Sequence, residues 1–338
     1  MLSRRSALLL LTAAALPLPR RAKAQAALTV DAIEAASWTG SFPAGQSGFA
    51  VKVQVLLDRA GISPGVADGV KGGMSRSAIT SFQRRAGLPV TGEMTDQVWS
   101  LLQGWATEPI TKTYTVTAAD GENLVDRIPD DYAEKAAMTH QGYTSIAERL
   151  AERFHMDEAF LKQMNPGVQI VPGAVLTVTD PGPEAKGQVT WITVNRATRR
   201  VTGYDKVGQM LVDYPATIGS TSTPSPAGSY KVANVALDPN YTYNPAVNFR
   251  QGENDKPLVI PPGPNGPVGN VWIGLSRPTY GIHGTATPSR LFANQSHGCV
   301  RLTNWDAREL AHMVKAGVTH VDFIDNPNPP SMMPVAGN

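Results

Sequence analysis

The sequence predicts a multidomain chain. A small all-α three-helix domain comes first, a small βααβ domain follows, and a mainly-β domain of the β-sandwich kind closes it. Three observations lead there. At 338 residues the chain exceeds one typical domain. Apolar residues between 47 and 104 recur at helical spacing. From 188 to 326 short β-prone runs alternate with Gly, Pro and Ser clusters. The segments read as a targeting sequence (1–24), a leader (27–46), the helical domain (47–104), the βααβ unit (113–180), the β-rich domain (188–326) and a disordered Pro-rich tail (327–338).

The N-terminus supplies the address. Arg4-Arg5 precede an apolar run from Ala7 to Leu18, too short to span a bilayer. Ala22-Lys23-Ala24 then offers a small-x-small cleavage site. This is an export signal of the general secretory or twin-arginine kind, and no later run is long enough for a membrane span. The formal net charge of +2 gives no electrostatic reason to expect nucleic acid or anionic lipid as the main partner.

In the first domain Val51, Val55, Leu56, Leu57 and Ala60 form an apolar stripe. Turns at Pro64-Gly65 and Asp68-Gly69 end that helix. A second helix begins at Ala78 and stops before Gly87 and Pro89, and a third covers Gln97 to Leu102. The order Gln54-x-x-Leu57, Asp68-Gly69, Ile79-x-x-Phe82-Gln83, Gly87-Leu-Pro-Val-Thr-Gly92, Trp99-x-x-Leu102 resembles the small helical peptidoglycan-binding domain of cell-wall enzymes. Lys71 departs from it, standing where that family usually has an aromatic residue.

In the second unit Tyr114 to Thr117 alternates like a strand. Residues 118–142 read as an inserted loop with a short helix near Tyr132 to Ala137. Ser145 is an N-cap, a second helix runs from Asp157 to Met164, and Pro172-Gly173 leads to a strand over Ala174 to Val178. Strand-helix-helix-strand with Asn165-Pro-Gly167 is similar to a LysM module, a glycan-binding fold. The third domain shows strands at Trp191–Val194, Val201–Tyr204, Met210–Tyr214, Gly228–Val232 and Val271–Leu275. One helix follows, opened by Thr303-x-x-Asp306 and closed by Gly317.

Reactive chemistry concentrates near the end of that domain. Cys299, the chain's single cysteine, has no partner for an internal disulfide. A free thiol is mostly protonated at neutral pH, and the thiolate is the attacking species, so a nucleophilic cysteine needs a base. Two histidines compete for that role. His297 is two residues from Cys299, so in an extended chain the two side chains run parallel. His283 comes from a separate strand end and can meet the sulfur head-on, which favours it. Gly298 and Cys299 can present consecutive backbone N–H groups to an oxyanion. Arg301 can hold a carboxylate in bidentate fashion. The other readings are an inert buried thiol, or Cys299, His297 and His283 as three zinc ligands. His312 and His320 read as structural or exposed, and His140 and His155, in the middle unit, have no carboxylate or thiol pattern near them.

The run Ile282-His283-Gly284-Thr285, followed by Ser296-His297-Gly298-Cys299-Val300-Arg301-Leu302, resembles the L,D-transpeptidase catalytic domain (the YkuD family). Pro262-Gly-Pro-Asn-Gly-Pro-Val-Gly269 and Thr223-Pro-x-Pro-x-Gly228-x-Tyr230 extend the likeness toward its Gram-negative branch, over about 188–326. The resemblance implies Cys299 as nucleophile, His283 as base and the Gly284 carbonyl as the group that orients the imidazole. It implies Ser296, His297 and Gly298 as the oxyanion loop, and Arg301 and Tyr280 as substrate-binding residues. Another branch has asparagine where this chain has Arg301. The implied reaction is acyl transfer on peptidoglycan stem peptides in the periplasm, forming 3→3 cross-links without metal or other cofactor. A lipoprotein lysine or water is the alternative acceptor, and a non-catalytic wall-binding protein is the reading of a different class.

Overall fold

The computed structural model describes residues 28–329, apart from 220–222, 248, 294, 295 and 297. The targeting segment and residues 330–338 of the tail lie outside the described residues.

The helical unit consists of α1 (Val30–Glu34), α2 (Gly48–Arg59), α3 (Gly73–Arg85) and α4 (Asp96–Leu102). Ser47 and Thr95 cap α2 and α4 by accepting the amides of Ala50 and Val98. Val51, Leu56 and Leu57 meet Ile79, Val98 and Leu102 in a fully buried core. Two buried glutamines explain the loop motifs. The Gln54 side-chain oxygen accepts the amides of Asp68 and Gly69. That of Gln83 accepts those of Thr91 and Gly92. Each clamps a turn whose glycine has positive φ. The leader is more than a connector, because it contributes α1 and buries Ile33 completely.

The middle unit pairs β1 (Thr111–Thr115) antiparallel with β2 (Val175–Thr179). Between them lie α5 (Tyr132–Ala136), α6 (Ile146–Arg153) and α7 (Glu158–Met164). The first strand starts three residues earlier than its alternation suggests. Pairing with β2 fixes its start, and a capping box between Thr117 and Asp120 opens a 3-10 turn just beyond its end. Leu150, Phe154, Leu161, Leu176 and Val178 continue the apolar core of the helical unit, so the two units share one interior.

In the third unit eight strands form one sheet: β3 (Trp191–Asn195), β4 (Arg200–Tyr204), β5 (Met210–Pro215), β6 (Gly228–Leu237), β9 (Val271–Leu275), β10 (Gly281–His283), β11 (Val300–Arg301) and β12 (His320–Ile324). Their order is β11-β10-β9-β6-β12-β3-β4-β5. Between β6 and β9 the chain leaves the sheet and forms a separate hairpin, β7 (Tyr241–Tyr243) with β8 (Leu258–Ile260). The expected mainly-β domain is present, its strands joined in a single curled sheet. Its strands and α8 (Asn304–Met313) enclose one core that includes Ile192, Val212, Ile273, Val300 and Leu310. Thr303 caps α8 as its spacing predicts. The helix ends at Met313 rather than before Gly317, whose amide instead reaches the Val232 carbonyl from a left-handed turn.

The sheet's β5 edge is covered, not exposed. Ser63 and Gly61 exchange backbone hydrogen bonds with Asp213, and Asp213 forms a buried ion pair with Arg200. Nearby the three units meet in a polar junction. His155 of the middle unit bonds Asp58 of α2 at 2.6 Å and stacks on Trp305 of α8 at 4.9 Å. Ser63 donates to Asp306 at 2.9 Å. Asn304 donates to both oxygens of Glu152 at 3.1 and 3.0 Å. No sequence pattern pairs these groups, because their partners are scores of residues away. Burial pushes the Asp306 carboxyl up to about 8 and the Glu152 carboxyl up to about 7. Burial alone would lower the pKa of His155, but Asp58 outweighs it and raises it.

All three shifts act in one direction on stability. A group with raised folded-state pKa stabilises fully below its unfolded value and loses that contribution as pH rises through the folded one. For Asp306 the window runs from 3.8 to about 8, and for Glu152 from 4.5 to about 7. Thermal melts of the full chain should therefore show Tm falling between about pH 5 and 8, and Asp306→Asn should flatten that slope. A wild-type Tm that climbs across the interval would contradict the assignment.

Candidate active site

Backbone pairing assembles the site. β10 runs antiparallel to β9 and parallel to β11, with Ile282 opposite Val300 and His283 opposite Arg301. Ile282 and Val300 are fully buried in the core. Side chains alternate along a strand, so the paired His283 and Arg301 face the other way together, and Cys299 stands just before β11. The His283-Gly284 turn and the Gly298-Cys299 segment therefore meet at one corner of the sheet.

His283 is buried and held by two contacts. Its Nδ1 lies 2.7 Å from the Gly284 carbonyl. A carbonyl only accepts, so Nδ1 carries the proton and Nε2 keeps a free lone pair. The indole of Trp272 stacks on the imidazole at 5.7 Å. A Cβ on Gly284 would stand 2.1 Å from Asn304 Oδ1, and one on Gly281 would stand 2.6 Å from the Trp272 ring. Both glycines are thus required by close approach, not by backbone conformation.

The loop before β11 is braced by the Thr223-Pro-x-Pro segment. Thr223 donates to the Ser296 carbonyl at 3.0 Å, and Ser225 to the Gly298 carbonyl at 2.7 Å. Ser296 Oγ donates to the Cys299 carbonyl at 2.5 Å and accepts the Gly298 amide at 3.2 Å. The Gly298 amide is therefore engaged within the loop, which differs from the expectation of two open amides side by side. Gly298 has φ of 115°, and a Cβ there would meet the Tyr280 ring at 2.9 Å. Tyr280 is in turn covered by the Arg277 guanidinium at 4.8 Å. His297 lies outside the described residues.

Cys299 is half-buried, and its thiol donates to the Thr279 carbonyl at 3.6 Å. Thr279 has φ of 68°, a left-handed conformation unusual for threonine. Burial pushes the Cys299 thiol up, while the Gly281 amide and Arg301 pull the other way. Burial, reinforced by the Arg301 charge, pushes the His283 imidazole down to about 3 against the pull of its Gly284 bond. At neutral pH the resting pair is a neutral thiol and a neutral imidazole.

Among the described residues no three His, Cys, Asp or Glu groups converge so as to hold a metal ion. The structure brings Cys299, His283, Gly284, Ser296, Gly298, Arg301 and Tyr280 into one neighbourhood. It adds Trp272, Asn304, Ser225 and Gly281, which sequence reading did not single out. Of these only Ser225 carried a signal, as the unnamed position inside the Thr223-Pro-x-Pro motif.

The electrostatics make a direct prediction. Alkylation of Cys299 by iodoacetamide should rise steadily with pH from about 6 to 9, as a neutral thiol deprotonates. A plateau of high reactivity below about pH 7, the signature of a preformed thiolate–imidazolium pair, would overturn the neutral assignment.

The profile of the YkuD family, described as the L,D-transpeptidase catalytic domain, matches residues 189–323. A peptidoglycan-binding domain profile matches 48–102. A Bacillus licheniformis protein named as the L,D-transpeptidase YkuD is 30% identical over 176 residues, covering 50% of this chain and 88% of that protein. The Escherichia coli K12 protein named as the L,D-transpeptidase YbiS is 30% identical over 217 residues, covering 61% of this chain and 65% of that relative's length. A solved L,D-transpeptidase from Xylanimonas cellulosilytica is 13% identical with a TM-score of 0.38, over 85% of this chain and 100% of that one. The chain belongs to the L,D-transpeptidase family, with its YkuD-type catalytic domain preceded by a helical peptidoglycan-binding domain.

Proposed function

We propose that the protein forms 3→3 cross-links in peptidoglycan through a thioester on Cys299. The observation that supports this reading is the pairing of His283 with Arg301, two residues beyond Cys299, with Nδ1 of the histidine tied to the Gly284 carbonyl. Cys299 Sγ attacks the carbonyl carbon of the third residue, a diamino acid, in a donor tetrapeptide stem. Its proton passes to His283 Nε2. The C–N bond to the terminal D-alanine breaks, and the imidazolium returns the proton to the leaving amine. An amine of a second stem then attacks the thioester, gives its proton to His283 and frees the thiol.

The lowered pKa of His283 keeps the imidazole unprotonated, with Nε2 open to a proton, at neutral pH. Arg301 engages a carboxylate of the stem, and Tyr280 flanks it. The tetrahedral oxyanion forms beside the Gly298–Cys299 backbone, where each aligned amide contributes about 3 kcal/mol in comparable sites. Binding substrate exchanges the Ser296 bond of the Gly298 amide for one to the oxyanion. The family resemblance adds His297 to the oxyanion loop. A lipoprotein lysine or water in place of the second amine gives anchoring or L,D-carboxypeptidase activity from the same thioester.

The upstream units hold the enzyme on the wall. In the helical unit, a cleft of about 430 Å³ lined by Trp38, Gln83, Leu88, Thr91, Thr95 and Gln97 offers an indole and several amide and hydroxyl groups for a glycan or stem peptide. The paired β1–β2 strands with α6 and α7 support a LysM-like role for the middle unit. Among the described residues no helix is long and apolar enough to cross a membrane, and peptidoglycan as substrate supports an exported, periplasmic protein.

Incubation with purified disaccharide-tetrapeptide, followed by mass analysis, tests the reading. Cross-linked dimer with released D-alanine is expected, whereas a trimmed tripeptide would move the assignment to hydrolysis and no product to passive wall binding. Cys299→Ala should remove activity to the limit of detection while binding to sacculi persists. His283→Ala should cost at least about a hundredfold in kcat, the usual range for losing a general base.

A further inference from the structure

The inserted segment of the middle unit does more than link β1 to α6. Its helix α5 lies on the hairpin β7–β8, in the excursion between β6 and β9. Tyr132 packs edge to face on Tyr241 at 6.0 Å, on Tyr243 at 5.2 Å and on Phe249 at 6.0 Å. Asn254 donates to the Asp131 carboxylate at 2.9 Å, and Gln251 accepts the Tyr132 amide at 3.0 Å. Farther along, Gln141 grips the other end of the excursion. Its amide donates to the Pro262 carbonyl at 2.8 Å, and its own carbonyl accepts the Asn265 amide at 3.0 Å. A Cβ on Gly263 would stand 2.2 Å from that carbonyl, so glycine is required there. The insertion thus straps the excursion at both ends.

That excursion faces the site. Its returning end packs against the turn that holds His283: a Cβ on Gly269 would stand 2.8 Å from the Gly284 backbone, and the Pro264 carbonyl accepts a hydrogen bond from Asn304 at 3.1 Å. Arg301 lies close enough to Tyr241 and Tyr132 for its charge to act on both phenols. Tyr243 is fully buried behind them, while Tyr132 and Tyr241 remain half-exposed. An aromatic pair open on one side, next to an arginine and a thiol, fits a peptide whose carboxylate meets the arginine and whose chain lies along the rings.

We infer that Tyr132, supplied by the middle unit, forms with Tyr241 one wall of the subsite that positions the donor stem peptide over Cys299 and Arg301. The middle unit then completes the active site instead of only tethering it. This rests on the acyl-transfer reading above and adds a positioning residue from outside the catalytic domain.

Full-length wild type, Tyr132→Phe and Tyr132→Ala are compared with disaccharide-tetrapeptide as donor. Steady-state kinetics, iodoacetamide alkylation of Cys299 and thermal melting are measured on each. Tyr132→Ala should raise KM about tenfold, as loss of one aromatic contact predicts, with kcat within about twofold and alkylation not slowed. Tyr132→Phe, which keeps the ring, should stay near wild type. An unchanged KM in Tyr132→Ala overturns the inference. So does a parallel fall in kcat, alkylation rate and Tm, which marks Tyr132 as merely structural. A wild-type chain that forms no thioester sinks the transpeptidase reading itself, whereas an active wild type matched by Tyr132→Ala sinks this inference alone.

Discussion

The site depends on a very short piece of parallel pairing, Ile282 with Val300 and His283 with Arg301. Two residue pairs hold little energy on their own. The ladder persists because Ile282 and Val300 are fully buried on its inner face and because Thr217 exchanges two further backbone hydrogen bonds with Arg301. Register is therefore fixed by core burial, since a slip of one residue would turn the apolar pair outward and the reactive side chains inward. The hydrophobic core thereby decides where the sulfur stands.

Around that pairing, close approach replaces charge as the organising device. Asn304 stands against Gly284, Trp272 against Gly281, and Tyr280 against Gly298. Each small residue admits a larger neighbour that fixes the backbone or ring beside it. Asn304 also reaches across to Glu152 of the middle unit, so the residue that seats the histidine turn belongs to the interdomain junction as well. Ordering of the imidazole and docking of the upstream units are physically continuous. The histidine needs no carboxylate to hold its tautomer, because a neighbouring carbonyl does so without adding charge to a buried place.

The interfaces between the units are polar as well as apolar. The helical and middle units share one core. Against the curled sheet they present Glu152, which accepts two hydrogen bonds from Asn304, and Ser63, which donates to Asp306. Such groups are costly to bury unless partnered, and here each partner comes from another unit. Relative orientation is specified by this matching, and so is the position of α5 over the hairpin beside the reactive face.

The sequence by itself determined what is local. Helix caps at Ser145 and Thr303, the strand at Val271–Leu275, and the Cys299 motif with its upstream histidine were all legible, because propensity, capping and spacing act within a few residues. The glutamine-clamped turns of the helical unit were visible as motifs, though the buried amides that explain them were not. Tertiary structure alone decided the start of β1, which its partner strand sets, and the joining of the β-rich strands into one curled sheet. It also fixed the neutral state of the Cys299–His283 pair, which follows from burial, and the engagement of the Gly298 amide by Ser296. The pairings of His155 with Asp58, Asn304 with Glu152 and Tyr132 with Tyr241 span 97, 152 and 109 residues. Contacts of that separation arise only when the whole chain has packed, since no short-range pattern encodes which distant surfaces will meet.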